Sequence, residues 1–151
     1  MAHNDIGHTR LPHARAQGRA FRRWIDLMHN DMSDRTTCLL VEDDDSVAAA
    51  YKMVLEDAGM LVCQAVGSEP EALDAILAGR PDVALLDIDI HGGDSLGVAT
   101  TLIAKDVAVA FVSGHAHADV PRPFSTLPFL QKPVSRKALL ELVETLKQTR
   151  T

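Results

Sequence analysis

Acidic, hydroxyl and ammonium side chains stand at the ends of short apolar runs in this chain, and their chemistry depends on where those ends meet. The run Cys38–Val41 ends in Glu42-Asp43-Asp44-Asp45. Val83–Leu86 ends in Asp87, followed by Ile88-Asp89. Val107–Val112 ends in Ser113, and Phe129–Leu130 ends in Gln131-Lys132-Pro133. If the runs are parallel strands, these endings share one sheet edge, the edge at which open α/β folds bind ligands. Clustered carboxylates raise one another's pKa unless a cation intervenes. Mg²⁺ answers that need: it prefers oxygen, keeps several waters, and takes one or two carboxylates plus a phosphate oxygen. Asp43 and Asp87 would supply the carboxylates, Glu42 would assist through water, and the backbone carbonyl of Asp89 would turn to the metal. Lys132 would neutralise a phosphoryl group and Ser113 would hydrogen-bond it. Asp87 is then the nucleophile, a carboxylate that can carry a phosphoryl group as an acyl phosphate. Taken singly, each feature has a plainer reading: an acidic run is a solvated loop or a helix cap, and a lone Asp is a turn residue. Asp44 and Asp45 read as the cap and first turn of a helix at Ser46.

The elements that must position these residues are legible from residue 36 onward. The apolar runs, with Met60–Val66 as the second of five, are near-continuous, as in strands covered on both faces. Helix-period segments lie between them. Val47, Tyr51, Val54, Leu55 and Ala58 share one face, and Gly59 follows as a stop. Ser68-Glu69-Pro70-Glu71 reads as a capping box with Pro in the first turn, closed by Gly79 and Pro81. A third helix runs from about Ser95 to Ala104. A last one begins near Ser135, with Leu139, Leu142, Val143 and Leu146 in one stripe. The alternation implies an α/β sandwich on a parallel sheet. Between Ser113 and Pro128 the prolines Pro121, Pro123 and Pro128 leave a fourth helix short or irregular.

Charge separates this body from what precedes it. The 151 residues carry a net charge of −6. Residues 1–35 hold six Arg and four Asp, and residues 36–151 hold nine basic and seventeen acidic side chains. The boundary is set at residue 35, between an extension (1–35) and the domain (36–151). An acidic body argues against nucleic acid, which is bound mostly by neutralising phosphates. The longest apolar run, Val107–Val112, is far below the roughly 18 residues of a membrane span. No signal peptide is visible, and Cys38 and Cys63 are too few for a disulfide framework, so a cytoplasmic protein is expected. In the extension, Phe21, Trp24, Ile25, Met28 and Met32 recur at helical spacing with Arg19, Arg22 and Arg23 nearby. One short docking helix and an unstructured tail with a true start at Met28 or Met32 are both open. His3, His8 and His13 do not share a helical face, and His115 and His117 are a weak metal pair.

The body resembles the receiver domain of two-component response regulators, over about residues 36–150. The marks are Leu39-Leu40-Val41-Glu42-Asp43-Asp44, Pro81-Asp82-Val83-Ala84-Leu85-Leu86-Asp87, Phe111-Val112-Ser113-Gly114 and Phe129-Leu130-Gln131-Lys132-Pro133. The resemblance implies a flavodoxin-like (βα)₅ fold, doubly wound on a five-stranded parallel sheet. It implies that Asp87 accepts phosphate from the phosphohistidine of a sensor histidine kinase or histidine phosphotransfer protein, with Mg²⁺. It makes Glu42 and Asp43 the acidic pair, Ser113 the switch hydroxyl, Phe129 the switch aromatic, Lys132 the phosphate-binding lysine, and Lys132–Pro133 a cis peptide. Two departures stand out: His91-Gly92-Gly93 replaces the usual Pro-Gly turn, and the stretch from Ser113 to Lys132 is about one helical turn short.

The last helix is expected to end near Gln148, which leaves no room for an output domain. The expected protein is a stand-alone response regulator, not an enzyme beyond catalysing its own phosphotransfer. It would signal to an unidentified downstream protein by contact, or act as a phosphate sink. Two rivals remain. Asp87-Ile88-Asp89 is similar to the Asp-x-Asp signature of haloacid-dehalogenase-like phosphatases, although there it ends the first strand. A pseudo-receiver that never takes phosphate is the other.

Overall fold

The computed structural model describes residues 18–24 and 35–149, apart from the side chains of Cys63 and Gln64. The chain forms two compact units, residues 1–35 and 36–151. In the first, residues 18–24 are helical (α1). There Phe21 and Trp24 are exposed, with their rings stacked at 6.1 Å. Ile25, Met28, Met32, His3, His8 and His13 lie outside the described residues.

The second unit alternates strands and helices as the apolar pattern requires. Its elements are β1 (Thr37–Val41), α2 (Asp45–Asp57), β2 (Leu61–Val66), α3 (Glu69–Ala78), β3 (Val83–Leu86), β4 (Asp89–Ile90), β5 (Gly93–Asp94), α4 (Leu96–Ala104), β6 (Ala108–Ser113), β7 (Phe129–Gln131) and α5 (Arg136–Thr149). Five strands form one parallel sheet in the order β2-β1-β3-β6-β7. β4 and β5 form a separate antiparallel hairpin.

Side-chain alternation along the strands divides the core between the two faces of the sheet. Leu39, Val41, Ala84, Leu86, Val109 and Phe111 meet α3 and α4 through Ala72, Ile76, Val98 and Leu102. Cys38, Leu40, Val83, Leu85, Ala110 and Val112 meet α2 and α5 through Tyr51, Leu55, Leu139 and Val143. The stripe Leu139, Leu142, Val143 and Leu146 is buried on α5 as its spacing indicates. On α2, Tyr51 and Leu55 are buried but Ala58 is exposed, because it is the C-cap and the chain turns away there. Gly59 follows at φ +87°, where a side chain would be strained.

The helix starts are explained by their caps. Asp44 Oδ1 accepts from the Ser46 and Val47 amides and from the Ser46 hydroxyl, which hold its carboxyl below the usual range. Ser68 Oγ accepts from the Glu71 amide, while the Glu71 carboxylate accepts from Gly67 N, one residue before the amide a capping box would use. Among the described residues no α-helix forms between β6 and β7. Two 3₁₀ turns, His117–Asp119 and Phe124–Thr126, occupy that stretch.

Phe111 is fully buried and meets Phe124 edge-on at 6.3 Å, so it joins the sheet to the second turn. Phe111→Ala should lower stability by about 3–5 kcal/mol, read as a fall in the urea midpoint with an unchanged slope. A loss below about 1 kcal/mol would mean that the site collapses around the missing ring.

Candidate functional site

The sheet's hydrogen-bond ladder runs one residue beyond the strand ends, and that extra rung places the site. Glu42 N donates to Val66 O at 2.8 Å, and Asp87 N donates to Val41 O at 2.8 Å. Lys132 N donates to Ser113 O at 2.8 Å. Each of these residues is fixed through its backbone before its side chain makes any contact. Gly67 adds a close approach from β2, since a Cβ there would lie 3.2 Å from the Asp43 Cα.

Glu42, Asp43 and Asp87 each present a carboxylate oxygen, and these oxygens lie within 4.8 Å of one another. Glu42 and Asp87 are buried and Asp43 is exposed. Lys132 Nζ donates to Asp87 Oδ2 at 2.8 Å and also to Glu42 Oε2. Thus Glu42, Asp43, Asp87 and Lys132, up to 90 residues apart in the chain, meet at one point. The donor set is all oxygen and mostly carboxylate, which suits a hard divalent cation such as Mg²⁺. A hollow of about 460 Å³ opens beside it, lined by Asp43, Asp45, Lys52, Gly67 and His91 among others.

Burial pushes the Glu42 carboxyl above its ordinary value, and the hydrogen bond from Lys132 only partly opposes this. Burial pulls Lys132 down, but its bonds to Asp87 and Glu42 outweigh that and the net shift is upward.

The remaining expected residues lie around this cluster. Ser113 is fully buried at the end of β6, its hydroxyl accepting from the His115 amide at 3.3 Å. Phe129 is half-buried at the start of β7, on the rung opposite Phe111. Asp89 opens the β4–β5 hairpin, and its exposed carboxylate pairs with His115 Nε2 at 2.5 Å. That hydrogen bond raises the His115 pKa. The Lys132–Pro133 peptide is cis, as is Arg122–Pro123. The His91-Gly92-Gly93 turn is the hairpin's tip, with Gly92 at φ +85°, and the His91 amide donates to Gly67 O at 3.0 Å.

Three residues gain positions that their sequence context does not signal. Ser95 is expected only as the approximate start of a helix, yet its hydroxyl donates to the backbone carbonyl of Asp87 at 2.5 Å, while Asp94 Oδ1 accepts from the Leu96 amide. Ser95 is fully buried, and so pins Asp87 from below. His115 and His117 read as a weak metal pair, but each has its own partner: Asp89 for the first, Phe129 and Ser125 for the second.

A family model described as "Response regulator receiver domain" matches residues 38–144. The chain belongs to this family. Among curated relatives, the transcriptional regulatory protein CseB of Streptomyces avermitilis is 35% identical over 88 residues, 58% of this chain and 37% of its own. The phosphoglycerate transport system transcriptional regulatory protein PgtA of Salmonella typhimurium is 30% identical over 118 residues, 75% of this chain and 28% of its own. The chain therefore spans roughly a third of these relatives' length. Among solved structures, SdrG from Sphingomonas melonis Fr1 aligns at TM-score 0.66 and 30% identity, over 74% of this chain and 96% of that one. A response regulator receiver protein from Sinorhizobium medicae WSM419 aligns at TM-score 0.67 and 28% identity, over 78% of this chain and 98% of that one. The receiver fold is flavodoxin-like and doubly wound, and a receiver is a two-component signalling module. No helix among the described residues is long and apolar enough to cross a membrane.

The charge balance of the receiver site has a measurable pH signature. Glu42's folded pKa lies above its unfolded value near 4.5, so the cost of burying it is absent below that value and appears as pH rises through the folded one. Lys132's folded pKa is also raised, so, while its carboxylate partners are ionised, the stability from its pairing is present below its unfolded value near 10.5 and is lost as pH rises through the folded one. Lys132→Ala should therefore cost about 3 kcal/mol near pH 8, and less near pH 4, where Glu42 is protonated. Urea unfolding in a chelator at both pH values measures this, and an equal loss at both would contradict the pairing.

Proposed function

We propose that Asp87 accepts a phosphoryl group from the phosphohistidine of a sensor histidine kinase or histidine phosphotransfer protein, and that the phosphorylated domain acts by contact with another protein. The observation that carries this reading is Lys132 Nζ bonded to both Asp87 and Glu42 beside Asp43. A cation already held at the acceptor carboxylate is what an arriving phosphoryl group requires, since catalysis of such a transfer is mostly positioning and charge neutralisation.

Lys132 engages Asp87 Oδ2, so Oδ1 forms the new bond to phosphorus. The bond from phosphorus to the donor imidazole nitrogen breaks, and that nitrogen keeps the electron pair. The product is an acyl phosphate on Asp87. Asp43 and Asp87 would hold Mg²⁺ directly, with Glu42 through water and the Asp89 backbone carbonyl as a further ligand. When bound, the ion supplies positive charge against the phosphoryl oxygens. The Ser113 hydroxyl then turns to a phosphoryl oxygen and Phe129 turns inward behind it. This shifts the domain towards a second surface through contacts that exist only with the phosphoryl group.

We place the protein in the cytoplasm with a protein as its output partner, or as a phosphate sink, and without nucleic-acid binding by this domain. The excess of acidic over basic side chains in residues 36–151 supports that last point. The domain's own chemistry stops at the acyl phosphate. Against a haloacid-dehalogenase-like phosphatase, Asp87 follows the third strand of the chain instead of the first, and the Asp89 carboxylate is taken up by His115.

The wild type, incubated with Mg²⁺ and a small acyl phosphate or a phosphorylated kinase, should gain one phosphoryl group by intact-mass measurement, and Asp87→Asn should gain none. Equal labelling of both would reject the assignment. Lys132→Ala should still bind Mg²⁺ by calorimetry, yet show no amide shifts from Ser113 to Gln131 with beryllofluoride, a mimic of a carboxylate-bound phosphoryl group. A full response in that variant would remove Lys132 as the sensor of the phosphate.

A further inference from the structure

The His117 ring lies nearly parallel to Phe129, with centroids 5.1 Å apart and planes 11° from coplanar. Its Nε2 donates to the backbone carbonyl of Ser125 at 2.9 Å, which fixes the ring plane against the second 3₁₀ turn. His117 itself belongs to the first turn. One exposed side chain thus ties both turns to the first residue of β7. On its other side Phe129 packs on the core cluster that contains Phe111 and Val120. Strand pairing sets Phe129 opposite Phe111, and Ser113 follows two residues on from Phe111, on the same face. Phe129 therefore sits between an outer aromatic partner and the strand end that carries the Ser113 hydroxyl.

We infer that His117 is the positioning residue that holds Phe129 in its half-buried place, and so sets how readily the domain passes to its phosphorylated arrangement. The inference rests on the reading of Asp87 as phosphoacceptor and of Phe129 as switch aromatic. For Phe129 to leave this place, the stack on His117 must be given up. That contact is made in one state only, so it biases the equilibrium between the two. An aromatic pair of this geometry biases such an equilibrium by about fivefold. Because the domain pays this cost when it binds the phosphoryl group, removing the stack should tighten the phosphoryl mimic by the same factor.

Three variants of the full chain separate the ring from its hydrogen bond. His117→Ala removes both, His117→Gln keeps a donor for Ser125 but no ring, and His117→Phe keeps the ring alone. Aromatic NMR of Phe129 and the affinity for beryllofluoride with Mg²⁺ are read for each, with Asp87→Asn as the non-binding control. In the free protein, His117→Ala and His117→Gln should displace the Phe129 signals in the direction that beryllofluoride moves them in the wild type. Both should bind the mimic about fivefold more tightly, while His117→Phe stays close to wild type. If the wild type binds the mimic and His117→Ala leaves both readouts unchanged, the inference falls and the Asp87 reading stands. If His117→Phe behaves like His117→Ala, the hydrogen bond matters and the stack does not, which also overturns it. A wild type that binds no beryllofluoride overturns the Asp87 reading, and the inference with it.

Discussion

The site depends on one ammonium group placed among carboxylates that would otherwise repel one another. Two like charges about 4 Å apart cost about 4 kcal/mol at an effective dielectric near 20. Glu42 and Asp87 are both buried beside each other, and Lys132 reaches both. The compensation is incomplete, because Asp43 adds a third carboxylate and, among the described residues, Lys132 is the one cation bonded within the cluster. On the proposed reading that deficit favours a divalent cation, and Lys132 supplies the fixed positive charge for phosphoryl oxygens. Burial first, and the neighbouring Asp87 charge to a lesser degree, raise the Glu42 pKa.

Such a cluster needs a rigid frame, because its members come from separate strand ends. The frame is the backbone ladder carried one residue past β1, β3 and β7, by the amides of Glu42, Asp87 and Lys132. Those strands are pinned in turn by burial of apolar side chains on both faces. Ser95 adds a bond to the carbonyl of Asp87, so Asp87 is held at both its amide and its carbonyl. Side chains held this way lose little further freedom when a ligand arrives, so less of the binding energy is spent on ordering them.

The strand ends were legible in the sequence because two independent signals agree there. Each apolar run stops at a polar residue, and a parallel sheet brings all such stops to one edge. The caps at Asp44 and Ser68 and the α5 stripe follow from local rules with short range. Illegible were the contacts between loops. The Asp89–His115 pair, the Ser95 bond and the β4–β5 hairpin depend on the path of irregular backbone, which has no period to read. Ser95 stands in the cap position, but the Asp94 carboxylate accepts from the Leu96 amide and the Ser95 hydroxyl is turned to the Asp87 carbonyl instead. His115 and His117 are close in sequence and so suggest a shared ligand, yet their rings have separate partners.

The stretch between β6 and β7 shows where such a receiver can keep a changeable part. A helix there would be held by its own hydrogen-bond ladder, largely independent of its neighbours. Two 3₁₀ turns have few bonds of their own, so their position is set by side chains at their edges. Val120, Phe124 and Leu127 anchor them in the core, Phe124 against Phe111. His117 closes the outer side onto Phe129 and Ser125. Every one of these anchors lies on or next to the strands that carry Ser113 and Lys132. A displacement of either strand end is therefore transmitted to the whole stretch, which has no ladder of its own to resist it. On the proposed reading, its surface can therefore follow the state of the site.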